Sequence, residues 1–113
     1  MVEAGYDVID INFGCPVKKV ACKGAGSGML RDPDGLVALT RAGVDAVSLP
    51  VTVKTRIGLG PESHMPIVDL ARRLEDTGIA ALTIHCRTAA MGHSGNADWS
   101  WAAKAREVVK IPV

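Results

Sequence analysis

Val8-Ile9-Asp10-Ile11-Asn12-Phe13-Gly14-Cys15-Pro16 is the stretch on which the reading of the fold turns. Val8, Ile9, Ile11 and Phe13 form a short apolar, β-prone run, which predicts a first strand from about Tyr6 to Phe13. Gly14-Cys15-Pro16 then makes a corner where a strand cannot continue, since Gly14 lets the backbone bend and Pro16 fixes its exit. Side chains alternate along a strand, so Asp10 and Asn12 share one face, and that face turns polar where the corner begins. The Cys15 thiol is thereby set at the mouth of a sheet. Two readings follow from these residues. One is a positioned reactive cysteine, and the other is a small buried side chain in a tight turn, a common place for free cysteine.

Working outward, residues 14–31 form a loop with Lys18, Lys19, Cys22 and Lys23. Its glycines Gly24, Gly26 and Gly28 lack both the dinucleotide spacing and the P-loop ending, so they favour flexibility or close backbone approach to a ligand. Asp32 or Asp34 can cap the next element, and Pro33 suits a first helical position. Leu36, Val37, Leu39, Val44 and Val47 recur at near-helical spacing, which predicts a helix from Pro33 to Val47. Val51-Thr52-Val53-Lys54-Thr55-Arg56-Ile57 predicts a second strand. Ile67, Val68, Leu70, Ala71 and Leu74 predict a second helix, ended by Gly78 in the manner of a C′ glycine. A third strand is expected over residues 80–87. Asp98 is placed to cap a third helix through Trp99, Trp101, Ala105 and Val109, and Ile111-Pro112-Val113 resembles the opening of a fourth strand.

Strand and helix alternate at intervals of about 30 to 40 residues, the pattern of a parallel α/β protein. An open doubly wound sheet and part of a (β/α)8 TIM barrel both fit, and the strand patterns favour the barrel. Ile9, Ile11 and Phe13 oppose Asp10 and Asn12. Val51 and Val53 oppose Thr52, Lys54 and Arg56, and Leu82, Ile84 and Cys86 oppose Thr83, His85 and Arg87. Each strand is apolar toward its helices and polar on its inner face, increasingly so toward its carboxyl end, where ligands bind in both architectures. Singly, Lys54 or Arg56 reads as a charge reaching solvent, His85 as a satisfied core histidine, and Arg87 as a partner for Asp10. Together, Cys15, Asn12, Lys54, His85, Arg56 and Arg87 at one sheet mouth are too costly to bury for stability alone. The cations suit an anionic ligand. A thiol of ordinary pKa arrives there protonated, able to act as an acid.

The bulk numbers agree with a soluble domain. The chain has 113 residues, with thirteen Lys and Arg against twelve Asp and Glu, so charge alone argues for no nucleic-acid partner. Three cysteines in no metal-ligand pattern point to a reducing compartment, by default the cytoplasm. No signal-peptide pattern or membrane-length apolar run is expected to operate, and no metal site is expected.

Several ordered motifs resemble the tRNA-dihydrouridine synthase family, most closely its bacterial B type. They are Ile9 to Pro16, Lys18-Lys19-Val20, Gly26-Ser27-Gly28-Met29-Leu30, Pro50 to Gly58, Leu82 to Thr88, Gly95-Asn96-Ala97-Asp98-Trp99 and Ile111-Pro112-Val113. The resemblance covers essentially the whole chain. It implies an FMN flavoprotein built on a (β/α)8 barrel followed by a small helical tRNA-binding domain, using NADPH to reduce the C5=C6 bond of particular uridines in tRNA. It further implies that reduced flavin gives hydride to C6 and that Cys15 protonates C5. Lys54 and His85 would contact the FMN, and Asn12, Arg56 and Arg87 would help to hold the flipped uracil or the flavin. The lysines of the loop after Cys15 would meet tRNA phosphates.

Two local departures stand out: Cys86 replaces a glycine usual in the family, and Met29-Leu30 replaces an alanine-leucine-leucine run. Cys86 faces outward in the strand pattern, so it implies a packing change only. Length is the larger departure, because a barrel needs roughly 250 residues. Residues 1–113 are therefore expected to be an internal fragment of the FMN-binding catalytic barrel, about three βα units and the start of a fourth strand, with the helical domain absent. Other readings are a flavin barrel acting on a free pyrimidine, like dihydroorotate dehydrogenase, and a non-catalytic βα fragment that self-associates through unpaired sheet edges. His85-Cys86-Arg87-Thr88 with Ala97-Asp98-Trp99 argues against the first.

Overall fold

The computed structural model describes residues 6–14, 30–58, 67–92 and 94–113. Three strands, β1 (Ile9–Phe13), β2 (Val51–Arg56) and β3 (Ala81–His85), alternate with helices α1 (Pro33–Ala46), α2 (Ile67–Asp76) and α3 (Ser100–Val108). The strands form one parallel sheet in the order β1-β2-β3. Consecutive βα units give this order both in a barrel and in half of a doubly wound sheet.

Local chemistry sets the helix ends. Asp32 caps α1 by accepting a hydrogen bond from the Gly35 N–H at 3.0 Å, and Pro33 stands in the first turn. α2 closes as Gly78 N–H donates to Glu75 O at 3.1 Å, with Gly78 at φ +96°. Asp98 lies one residue ahead of the cap position of α3, which Trp99 occupies. Its carboxylate still holds the first turn, accepting from Ser100 N–H at 3.1 Å and from the Ser100 hydroxyl at 2.5 Å.

All three helices cover the same face of the sheet. Phe13, Val51, Val53 and Leu82 meet Leu36, Leu70, Leu74 and Ala105 in one core, and Cys86 packs with Ile57, Ile67 and Trp101 in a second cluster. Cys86 is thus buried on the helix side, as the strand alternation predicts. Leu39 departs from the expected apolar stripe, being 51% exposed, while Thr40 is buried in its stead. Thr40 tolerates that place because its hydroxyl donates to Leu36 O at 2.8 Å. Residues 111–113 form no strand. They run beside β3 and make a single sheet-like bond, Leu82 N–H to Pro112 O at 3.0 Å.

Candidate active site

Parallel registration turns the uncovered face of the sheet into rows. Asp10 pairs with Thr52 and Thr52 with Ala81; Asn12 pairs with Lys54 and Lys54 with Thr83; Arg56 pairs with His85. Asp10, Asn12, Lys54 and Thr83 are all exposed there, so this face is polar across its width. In the first row the Thr52 hydroxyl donates to Asp10 Oδ1 at 2.7 Å. Asp10 is therefore the partner of Thr52, and the expected pairing of Asp10 with Arg87 does not form: Arg87 stands two strands away and binds elsewhere.

The corner after β1 is held at both of its backbone groups. Asn12 Oδ1 accepts from Gly14 N–H at 2.8 Å, the side-chain-to-backbone turn that asparagine makes readily. Its carboxamide NH2 is then the end able to donate to a ligand. Gly14 O accepts from Arg56 Nε at 2.8 Å. Arg56 Nη1 also donates to Thr88 O at 3.0 Å and Gly92 O at 2.6 Å. Arg56 is 2% exposed, a cation taken out of water and compensated by carbonyl oxygens. Arg56 thus ties the corner of β1 to the loop after β3, with the short 3-10 turn Ala89–Met91 between its two acceptors. Sequence reasoning missed this role, because backbone acceptors leave no mark on residue identity.

At the end of β3, Arg87 Nη1 lies 2.7 Å from His85 Nε2, and Arg87 Nε and Nη2 donate to Gly95 O at 3.3 and 3.2 Å. A cleft of about 430 Å³ runs along this edge of β3, bounded by Thr83, His85, Arg87, Trp99 and Val113. Burial pushes the Cys86 thiol above its ordinary pKa, which suits packing rather than nucleophilic work. Cys15, Cys22, Lys18, Lys19 and Lys23 lie outside the described residues. The structure therefore brings together Asn12, Lys54, Arg56, His85 and Arg87 on one polar face and strand end, next to the corner that leads into Cys15. Among the described residues no cluster of three or more His, Cys, Asp or Glu can hold a metal, and no helix is long and apolar enough to cross a membrane.

A parallel sheet covered by helices on one face, with amide, ammonium, imidazole and guanidinium groups gathered on the other, defines a parallel α/β protein, a class in which ligands bind at the carboxyl ends of the strands. The chain belongs to the dihydrouridine synthase (Dus) family, an oxidoreductase family whose model matches residues 1–113. It is 46% identical, over 99% of its length, to the probable tRNA-dihydrouridine synthase 1 of Synechocystis sp., covering 31% of that protein. Identity is likewise 46% over 99% of the chain with the tRNA-dihydrouridine synthase B of Serratia marcescens (33% of that protein) and of Escherichia coli (35%). The chain thus spans about a third of the length of the curated relatives it matches.

Proposed function

We propose that this chain is the catalytic middle of an FMN-dependent, NADPH-driven tRNA-dihydrouridine synthase, acting in the cytoplasm. The observation that carries the reading is the polar strand-end face, Asn12, Lys54 and Thr83 with Arg56 and His85, beside Gly14, the residue that precedes Cys15 in the sequence of a Dus-family chain. Helices on one face and polar groups on the other support a (β/α)8 barrel whose interior is that polar face. On this reading the rest of the barrel and a helical tRNA-binding domain lie elsewhere in the protein. Among the described residues no strand lies beside the outer edge of β1, and the outer edge of β3 carries only the bond from Leu82 to Pro112, so on this reading the isolated chain self-associates.

The donor set fits a flavin. Lys54, exposed in the middle of the face, and His85 in the next row would hold the FMN, the ammonium offering a positive charge to an electron-rich ring. Bound there, the cofactor would supply hydride chemistry for uracil C6, with NADPH as the reductant. Cys15 gives its thiol proton to C5, so that C5=C6 becomes a single bond, and solvent returns a proton to the thiolate. Asn12 helps to hold the uracil or the flavin, and Arg56 and Arg87 do so through the corner, the loop and the imidazole they order. The target uridine must leave its stack to reach a strand-end site, and Lys18, Lys19 and Lys23 meet tRNA phosphates around it.

Dihydrouridine formation in unmodified tRNA, assayed with the intact protein, FMN and NADPH, tests the reading. Wild type should form product and Cys15→Ala almost none. Equal product from the variant would remove Cys15 as the acid, and absence of product from wild type would remove the reading.

A further inference from the structure

Every nitrogen of an arginine side chain donates and none accepts, and the guanidinium does not lose its proton in proteins. With Arg87 Nη1 at 2.7 Å, His85 Nε2 must therefore be the acceptor, so it carries a lone pair. The proton of the neutral ring then resides on Nδ1. Arg87 is itself anchored, because two of its nitrogens converge on Gly95 O at 3.2 and 3.3 Å. That carbonyl belongs to a turn in which Gly95 adopts φ +71° and an added Cβ would stand 3.0 Å from Met91 Cε, so the turn is built for glycine. His85 is fixed from the other side as the last residue of β3, in register with Arg56.

We propose that Arg87 is a positioning residue that holds His85 in the Nδ1–H tautomer, so that the imidazole meets a bound ligand as a hydrogen-bond donor. The ligand chemistry this selects is an acceptor oxygen, a carbonyl or a phosphate, rather than an N–H group. It also takes Nε2 out of proton traffic, because Arg87 occupies the lone pair that would accept a proton. His85 holds a proton and does not move one, which leaves proton delivery to another group. The bearing on catalysis rests on the reductase reading, whereas the tautomer rests on the contact alone.

The test is a long-range 15N–1H correlation spectrum of the intact protein labelled with 15N-histidine, at about pH 8, where an ordinary imidazole is neutral. His85→Gln assigns the resonances by their disappearance. We expect Nε2 at an unprotonated, downfield shift and Nδ1 at a protonated one. In Arg87→Leu the pattern should move toward the Nε2–H tautomer; should that variant fail to fold, Arg87→Met, which likewise has no donor, is read in the same way. A protonated Nε2 in wild type overturns the proposal, as does an unchanged pattern in the Arg87 variant. A protein that forms dihydrouridine yet shows protonated Nε2 loses the tautomer and keeps the function, and the converse result keeps the tautomer and loses the function.

Discussion

Replacing Arg56 by methionine keeps most of the side chain's length and apolar bulk while removing every donor. Two of its acceptors, Gly14 O and Thr88 O, are engaged in buried bonds, and the third, Gly92 O, in a partly buried one. A buried carbonyl left without a donor costs about 1–3 kcal/mol; Gly14 O bears this in full, Gly92 O in part because it has access to water, and Thr88 O keeps the Met91 N–H at 3.2 Å, so the loss is on the order of 2–4 kcal/mol. Methionine spares the native state the desolvation of a cation, which offsets part of that. The net expectation is a loss of about 1–2 kcal/mol. Arg56→Lys should recover part of it, since one ammonium can satisfy one or two of the carbonyls but lacks the fork that spans all three. Urea unfolding of the intact protein, followed by tryptophan fluorescence, reads both variants as a lowered midpoint at unchanged slope. A methionine variant within about 0.5 kcal/mol of wild type would refute the argument, because it would mean that water replaces the guanidinium at no cost.

Cys86, buried with its thiol pKa raised by desolvation, should react with iodoacetamide far more slowly in the native protein than in denaturant. The sign of its linkage follows: the native state favours the thiol, so its contribution is complete below the ordinary thiol pKa and falls as pH rises through it, an effect that Cys86→Ala should abolish in a pH series of unfolding midpoints. Gly78→Ala should cost about 1–2 kcal/mol, since φ +96° is strained for an L residue and the new Cβ would stand 3.3 Å from Val44 Cγ1; an unchanged midpoint would contradict the cap geometry. Asp98 is held below the usual carboxylate range by its bonds from Ser100, so its support for the start of α3 is present above that range and disappears as pH falls through the lowered value. Asp98→Asn should flatten the acid limb of the stability profile accordingly.

Much of the fold is legible in the residues themselves. The alternation of Ile9, Ile11 and Phe13 against Asp10 and Asn12 gives β1 and its faces, Asp32-Pro33 gives the start of α1 to the residue, and Gly78 gives the end of α2. Side chains that report their own surroundings, by apolarity, capping chemistry or a need for positive φ, can be read one at a time. Arg56 cannot, because its acceptors are backbone carbonyls 42, 32 and 36 residues away that any amino acid would supply. Leu39 misleads for a related reason: helical spacing marks a stripe, but the width of the core decides that the stripe ends at Thr40. Asp98 is one residue early because its carboxylate can reach the Ser100 N–H from outside the cap.

The site shows why arginine and lysine on one polar face separate into different tasks. A guanidinium presents five donors in a fixed plane and sheds water more readily than an ammonium, so where several carbonyls converge it is drawn into the scaffold. Arg56 is drawn in by Gly14, Thr88 and Gly92, and Arg87 by Gly95 with His85. Lys54, one register row before Arg56, is a single compact charge that stays hydrated and exposed. The two guanidinium groups are committed to ordering the loops after β1 and β3, and within the described strands the ammonium of Lys54 is the cation left exposed on this face.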